Sequence, residues 1–382
     1  VEHLINARAS NIEISGIRKF FNMVAETEGI ISLTIGQPDF PTPEHVKAAG
    51  IKAIHDDFTT YTHNAGMIDL RKAAAEYYLK KYDVDYDPDS EVIITAGASE
   101  AIDITFRTIL DWDTEVILPG PVYPGYEPII RLCGANPVYA DTTTNNFKMT
   151  ADIINSYITN KTRCIVLPYP SNPTGISLSE KELYEISELL RDKDIFVLAD
   201  EIYSELVYER PHTSIAKFLK EKTIVINGLS KSHSMTGWRI GMLFATNNIA
   251  KHILKVHQYN ITCATSISQK AALEALTVGF DDALPMRAEY KKRRDYVYNR
   301  LTKMGFDVVK PEGAFYFFVK IPVSGMKSFD FALSLAHEAK VAVVPGSAFS
   351  HLGEGYFRLS FAYSMEILEE GLNRIENYLI SK

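Results

Sequence analysis

Apolar residues along the chain follow two rhythms. Short, β-rich and nearly continuous runs occur at Glu91–Thr95, Glu115–Leu118, Arg163–Leu167, Ile195–Ala199, Thr223–Ile226 and Ile240–Ala245. Between them, segments such as Asp69–Tyr82 and Glu180–Arg191 space their apolar residues three and four apart, the helical period. Strands of about five residues alternating with helices of about 10–15 predict crossover units on a mainly parallel sheet flanked by helices, an α/β fold. The run IFVLA at Ile195–Ala199 is apolar throughout, as a parallel strand covered on both faces requires.

After about Pro285 the pattern changes. A charged helix over Arg287–Met304 leads to aromatic strands at Phe315–Lys320 and Tyr356–Phe361, then to a helix over Met365–Ile380. Near the other end, Ile12–Val24 reads as an isolated helix ahead of the sheet. We expect the two chain ends to form a smaller α+β domain from residues 1–40 and 285–382, beside a large domain over 41–284. No Gly/Ser-rich linker, internal repeat or low-complexity tract marks the boundaries.

Composition narrows the function classes. The 382 residues carry a formal net charge of -8, the wrong sign for a binder of nucleic-acid phosphates. With 46% hydrophobic and 23% charged residues, the chain has globular rather than disordered composition. Cys133, Cys164 and Cys263 lie far apart and offer no zinc spacing, so a reducing, cytoplasmic setting is expected and no metal. No run approaches the length of about 18 apolar residues that a membrane helix needs, and VEHLINARAS shows no basic-then-apolar leader.

Three segments carry candidate chemistry, each directly after a predicted strand. In NGLSKSHSMTGWR, Lys231 lies where burial would lower its pKa and make the amine nucleophilic, and Arg239 follows eight positions on, suited to a phosphate. A surface lysine and a structural arginine are the plain alternative; a Walker phosphate loop is excluded, because Val225 and Ser230 stand where its glycines belong. In LADEIY, Asp200 sits at the ligand edge of an open sheet, suited either to a cationic ligand atom or to a helix cap, and Tyr203 to the site or the core. In SNPTG, Asn172 occupies a turn that Pro and Gly favour anyway. Chance does not readily explain three consecutive strand ends presenting Asn172, Asp200 and Lys231 at one sheet edge. A further strand end precedes Gly97-Ala98-Ser99-Glu100, small residues able to cradle a phosphate at a helix start. That stretch also falls one glycine short of the hydrolase elbow, since Ala101 takes its place. The competing reading is therefore an α/β-hydrolase with Ser99 as nucleophile, Asp200 as acid and His233 or His257 as base.

SKSHSMTGWRIG, ADEIY, SNPTG and FRLSFA together resemble the class I pyridoxal-phosphate aminotransferases of fold type I, over nearly the whole chain. GASEAI, PGPVYPGYEP and PEGAFYFF look most like the bacterial aromatic-amino-acid and N-acetyl-diaminopimelate members. The resemblance implies that Lys231 forms the internal aldimine with pyridoxal 5'-phosphate and later moves a proton. It implies that Asp200 pairs with the pyridine nitrogen, and that Asn172 and Tyr203 hydrogen-bond the phenolic oxygen while Tyr123 stacks on the ring. The phosphate would be held by Arg239, Ser230 and the Ala98 and Ser99 amides, with Tyr61 reaching it from the other subunit of a homodimer. Arg358 would clamp the substrate α-carboxylate in a two-pronged pair, with Gly36 leaving room for a backbone contact. The implied reaction is a ping-pong transfer of an α-amino group to a 2-oxo acid; a C–S β-lyase uses the same anchors.

Two departures from the family pattern matter. Gly228 stands where many relatives carry a serine, so Ser230 would have to supply that hydroxyl. Asn260–Ser266 resembles the segment from which aspartate-type relatives reach a side-chain carboxylate with arginine, but contains no Arg or Lys. Arg18, beside Ile14, Ile17 and Phe20, could meet a distal acid instead, although a solvated helix face suits arginine better. The family also implies cis bonds at Gly120-Pro121 and Asn172-Pro173.

Overall fold

The computed structural model describes residues 1–14, 16–24 and 28–381. At its centre lies a sheet of β1 (Val92–Thr95), β2 (Glu115–Gly120), β3 (Asn136–Asp141), β4 (Thr162–Leu167), β5 (Phe196–Asp200), β6 (Thr223–Gly228) and β7 (Gly241–Phe244). Their spatial order is β1-β7-β6-β5-β4-β2-β3. Only the pairs made by β7 are antiparallel. All strands but β7 therefore bring their C-terminal ends to one edge.

Alternation within the strands assigns the two faces. In β5, Val197 and Ala199 enter one core with Ile165, Leu167 and Val225, while Leu198 enters the opposite core with Val166, Ile224 and Ile226. None of these side chains is more than 3% exposed, and burial of each Val, Leu and Ile among them contributes about 1.5–3 kcal/mol. The edge strand β3 is not among the predicted runs. Its sequence opens Asn136-Pro137, and proline, which cannot donate to the ladder, is tolerated at an edge, here beside Val116.

Of the helices, α1 (Gly16–Val24), α2 (Ile68–Tyr82), α3 (Ala98–Ile109), α4 (Glu180–Leu190), α5 (Ala283–Lys303) and α6 (Met365–Ile380) bear on the argument. A capping box starts α4: the Ser179 hydroxyl accepts from the Glu182 amide, and the Glu182 carboxylate accepts from the Ser179 amide. The helix expected over Ile12–Val24 is shorter. Residues 12–14 are not helical and Ser15, inside the expected span, lies outside the described residues, as does Lys382 at the end of the expected small domain. β-Branched Ile12 and Ile14 lose rotamer freedom in a helix, and α1 opens on Gly16, where a Cβ would stand 3.1 Å from the Ala348 Cβ.

A second, antiparallel sheet joins β8 (Tyr316–Lys320), β9 (Val344–Pro345) and β10 (Tyr356–Ser360) in the order β9-β10-β8. Phe20, Val24 and Leu33 from the start of the chain share one core with Phe317, Phe357 and Leu372 from its end. Tyr203 and Leu206, just past β5, belong to that same core. Gly120-Pro121 and Asn172-Pro173 are cis, as expected, and so is Tyr169-Pro170. Among the described residues no helix is long and apolar enough to cross a membrane.

Candidate active site

Parallel register gathers the strand ends. Asp200 is the last residue of β5, opposite Ile226 of β6. Just past β6, the single turn Leu229–Ser232 carries Ser230 and Lys231. Asn172 follows β4, and Ala98 and Ser99 open α3 after β1. These residues line one cavity of about 490 Å³ together with Gly36, Tyr123, Tyr203, Arg239 and Arg358.

One end of the cavity is built to hold an anion. Gly97, at φ 82°, precedes α3, and a Cβ on it would lie 2.6 Å from Arg239 Nη2. Only glycine therefore lets the guanidinium close on the free amides of that helix start. Arg239 is itself left-handed at φ 52° and donates through Nη1 to the Thr236 carbonyl at 3.1 Å. Gly228 also has a steric reason: a Cβ there would meet the Ile240 carbonyl oxygen at 3.1 Å.

The middle of the cavity holds a carboxylate and an amine of unusual character. Burial pushes the Asp200 carboxyl up, while hydrogen bonds from the Tyr126 hydroxyl (2.6 Å) and the Ile202 amide (3.2 Å) work the other way. Lys231 is half-buried on the wall of the cavity, and its Nζ donates to the Gly36 carbonyl at 2.5 Å. Burial first, then the Arg358 and Arg239 charges, lowers its amine to about 8, against the opposing pull of Asp200. A substantial neutral fraction is thus present near physiological pH.

At the far end stands Arg358, 3% exposed. Its Nη1 donates to Asn172 Oδ1 (2.9 Å) and its Nη2 to the Thr34 carbonyl (2.6 Å), both neutral acceptors. Its Nε has no partner among the described residues. Tyr316 lies under the guanidinium at 4.3 Å and shares a 2.9 Å hydrogen bond with the Tyr203 hydroxyl. A buried cation with only neutral acceptors is costly, and the arrangement suits an incoming carboxylate.

Other expected residues fall elsewhere. Tyr61 is 83% exposed and does not line the cavity. Arg18 is exposed and lines a second, larger cavity of about 1370 Å³, which shares Ile17, Thr34, Ile35 and Tyr123 with the first. Asn260–Ser266 packs instead against the segment around Tyr61, with Asn64 donating to the Thr262 carbonyl and Ser266 to that of Phe58. The hydrolase triad does not form. His233 is engaged by Ser232 and the Gly279 carbonyl, His257 by Glu100 and the Asn64 carbonyl, and Asp200 by Tyr126 and the Ile202 amide. Sequence reasoning missed Tyr126 and the Thr34 carbonyl, whose contacts span 74 and 324 positions and leave no local signal.

The donor set fits pyridoxal phosphate. A guanidinium against a helix start suits a phosphate, a buried carboxylate suits a ring cation, and an amine of lowered pKa suits an aldehyde. The comparisons agree. A family model described as aminotransferase class I and II matches residues 28–375. The chain is 65% identical, over all its 382 residues and 97% of the relative, to a probable N-acetyl-LL-diaminopimelate aminotransferase of Bacillus subtilis. It is 40% identical to aromatic-amino-acid aminotransferase 2 of Thermococcus litoralis, over 99% of each chain. The crystal structure of an aromatic aminotransferase from Pyrococcus horikoshii superposes with a TM-score of 0.90 at 38% identity, covering 96% of this chain and 99% of that one.

Proposed function

Because the chain belongs to the class I and II aminotransferases, which depend on pyridoxal phosphate, we propose that it moves the α-amino group of an N-acetyl-diaminopimelate-like amino acid to a 2-oxo acid in two successive half-reactions. The observation that carries the substrate is the 65% identity along the whole chain to the Bacillus subtilis relative. The larger cavity opening from the site supports it, since a long acyclic side chain needs room beyond the reacting carbon. The aromatic walls of Tyr123 and Tyr316 favour phenylalanine or tyrosine as second-best donors.

Bound in the site, pyridoxal phosphate supplies an aldehyde for the amine and a ring that accepts the electrons of the broken Cα–H bond. Arg239, Ser230 and the amides of Ala98 and Ser99 would hold its phosphate, with Tyr61 of a second copy in a homodimer completing the grip. The 83% exposure of Tyr61 is compatible with that placement. Asp200 would hold the positive charge on the ring nitrogen. Asn172, whose Oδ1 accepts from Arg358, has its Nδ2 left to donate to the phenolic oxygen beside the Tyr203 hydroxyl. Tyr123 would lie against the ring. Arg358 and Gly36 would bind the α-carboxylate, aligning the Cα–H bond, and the Lys231 Nζ would take that proton and return it to the cofactor carbon.

Steady-state rates with N-acetyl-LL-diaminopimelate, phenylalanine, tyrosine and aspartate as donors test the substrate. The first is expected to give the highest kcat/KM; a clear advantage for aspartate overturns the reading. Pyruvate and ammonia released from cystathionine without any acceptor would point to a β-lyase instead. A second expectation concerns pH. Since Lys231 reacts as the free amine with a pKa of about 8, the rate of pyridoxal-phosphate uptake by the cofactor-free chain should rise about tenfold per pH unit below that value and level off above it. A rate that stays flat from pH 6 to 9 excludes Lys231 as the group taking up the aldehyde.

A further inference from the structure

The helix that follows Pro121-Val122-Tyr123 begins at Tyr126, whose ring is buried in the wall of the cavity. Its hydroxyl lies 2.6 Å from Asp200 Oδ2. An ionised carboxylate only accepts hydrogen bonds, so the phenol must donate. Desolvation, then the adjacent Asp200 charge, pushes the Tyr126 phenol well above its ordinary pKa, which keeps that proton in place. The other carboxylate oxygen, Oδ1, accepts from the Ile202 amide at 3.2 Å. The ring of Tyr126 also meets Tyr123 edge-on, with centroids 5.6 Å apart and planes at 87°.

From this geometry we propose that Tyr126 is a positioning residue: by donating to Oδ2 it keeps Asp200 ionised and aimed, so that the carboxylate can hold a protonated ring nitrogen. The reasoning is one of competing effects. Asp200 is buried, and burial alone favours the neutral acid. A neutral acid cannot stabilise a pyridinium. Two donors offset that penalty, one from the backbone and one from Tyr126, and a hydrogen bond to a charged acceptor is the stronger kind. Each fixes a different oxygen, so the carboxylate plane cannot swing away from the cavity. The inference rests on the proposed pairing of Asp200 with the ring nitrogen.

Tyr126→Phe removes the hydroxyl and keeps the ring, hence the packing on Tyr123. The full chain, stripped of cofactor, is titrated with pyridoxal phosphate and with 1-deazapyridoxal phosphate, which has carbon in place of the ring nitrogen. The variant should bind pyridoxal phosphate about tenfold more weakly and the deaza analogue unchanged. Equal weakening by both cofactors means a merely structural role and overturns the proposal, as does undiminished binding of pyridoxal phosphate. The Asp200→Asn chain provides a second comparison. It should bind the two cofactors alike, and adding Tyr126→Phe to it should change neither affinity by more than about twofold. If Asp200→Asn instead keeps the wild-type preference for the natural cofactor, the Asp200 pairing itself fails. If the two substitutions weaken pyridoxal phosphate independently, that pairing stands and the role of Tyr126 falls.

Discussion

Replacing Lys231 by alanine is expected to lower turnover by at least about 10⁴-fold, because it removes both the amine that takes up the aldehyde and the base that moves the proton. The visible absorption of the lysine-bound cofactor should vanish with it. Stability should not follow. Lys231 titrates in the folded chain at about 8, below its ordinary value near 10.5, so at pH 7 folding opposes its charged form, and that penalty fades as pH rises from about 8 and is gone above the unfolded value near 10.5. Deleting the amine removes the penalty together with the one hydrogen bond to the Gly36 carbonyl. The melting temperature of the cofactor-free variant at pH 7 should therefore be no lower than that of the parent. An active variant would falsify the assignment, and an inactive but unfolded one would show that Lys231 is structural.

Arg358→Ala should reduce kcat/KM by about 2–5 kcal/mol, mostly through KM, since the pair it would form with the α-carboxylate is fully desolvated. The guanidinium is buried with only the Asn172 and Thr34 oxygens as acceptors, and burial pushes its pKa down. Among the described residues no carboxylate pairs with it, so the charge waits for the substrate's. The effect should be confined to substrates that carry one. The matching primary amine, lacking the carboxylate, should react with the variant and the parent at similar low rates. Arg358→Lys should recover little, because an ammonium cannot make two parallel bonds to a carboxylate and would lose the stacking on Tyr316, 4.3 Å below. A loss of equal size for the primary amine would mean that Arg358 only supports the fold.

Much of the sheet was legible from its apolar runs. Ile195–Ala199 reads as a doubly covered strand because both of its faces bury carbon, and the structure finds Val197 in one core and Leu198 in the other. β3 escaped because a strand at the edge admits Pro137 and needs less apolar sequence. The start of α1 escaped because Ile14 continues the three-residue apolar spacing of Ile17 and Phe20, although its branched side chain does not favour a helix. In the site, Asn172, Asp200 and Lys231 were readable because each ends or follows a strand, and parallel strands deliver their C-terminal ends to one edge. The reversal of β7 carried no sequence signal, yet it lets β1 and the start of α3 join that edge.

By itself, then, the sequence determined the α/β alternation, the strand-end residues and the family they resemble, because strand, turn and motif are local properties of neighbouring residues. Only the tertiary structure decided the state of those groups. It buried Lys231 enough to lower its amine, left Arg358 with neutral acceptors, closed Arg239 on Gly97, and set the Tyr126 hydroxyl on Asp200. Charge, desolvation and hydrogen bonding depend on what stands within a few ångströms in space, and in this fold those neighbours come from positions tens to hundreds of residues away.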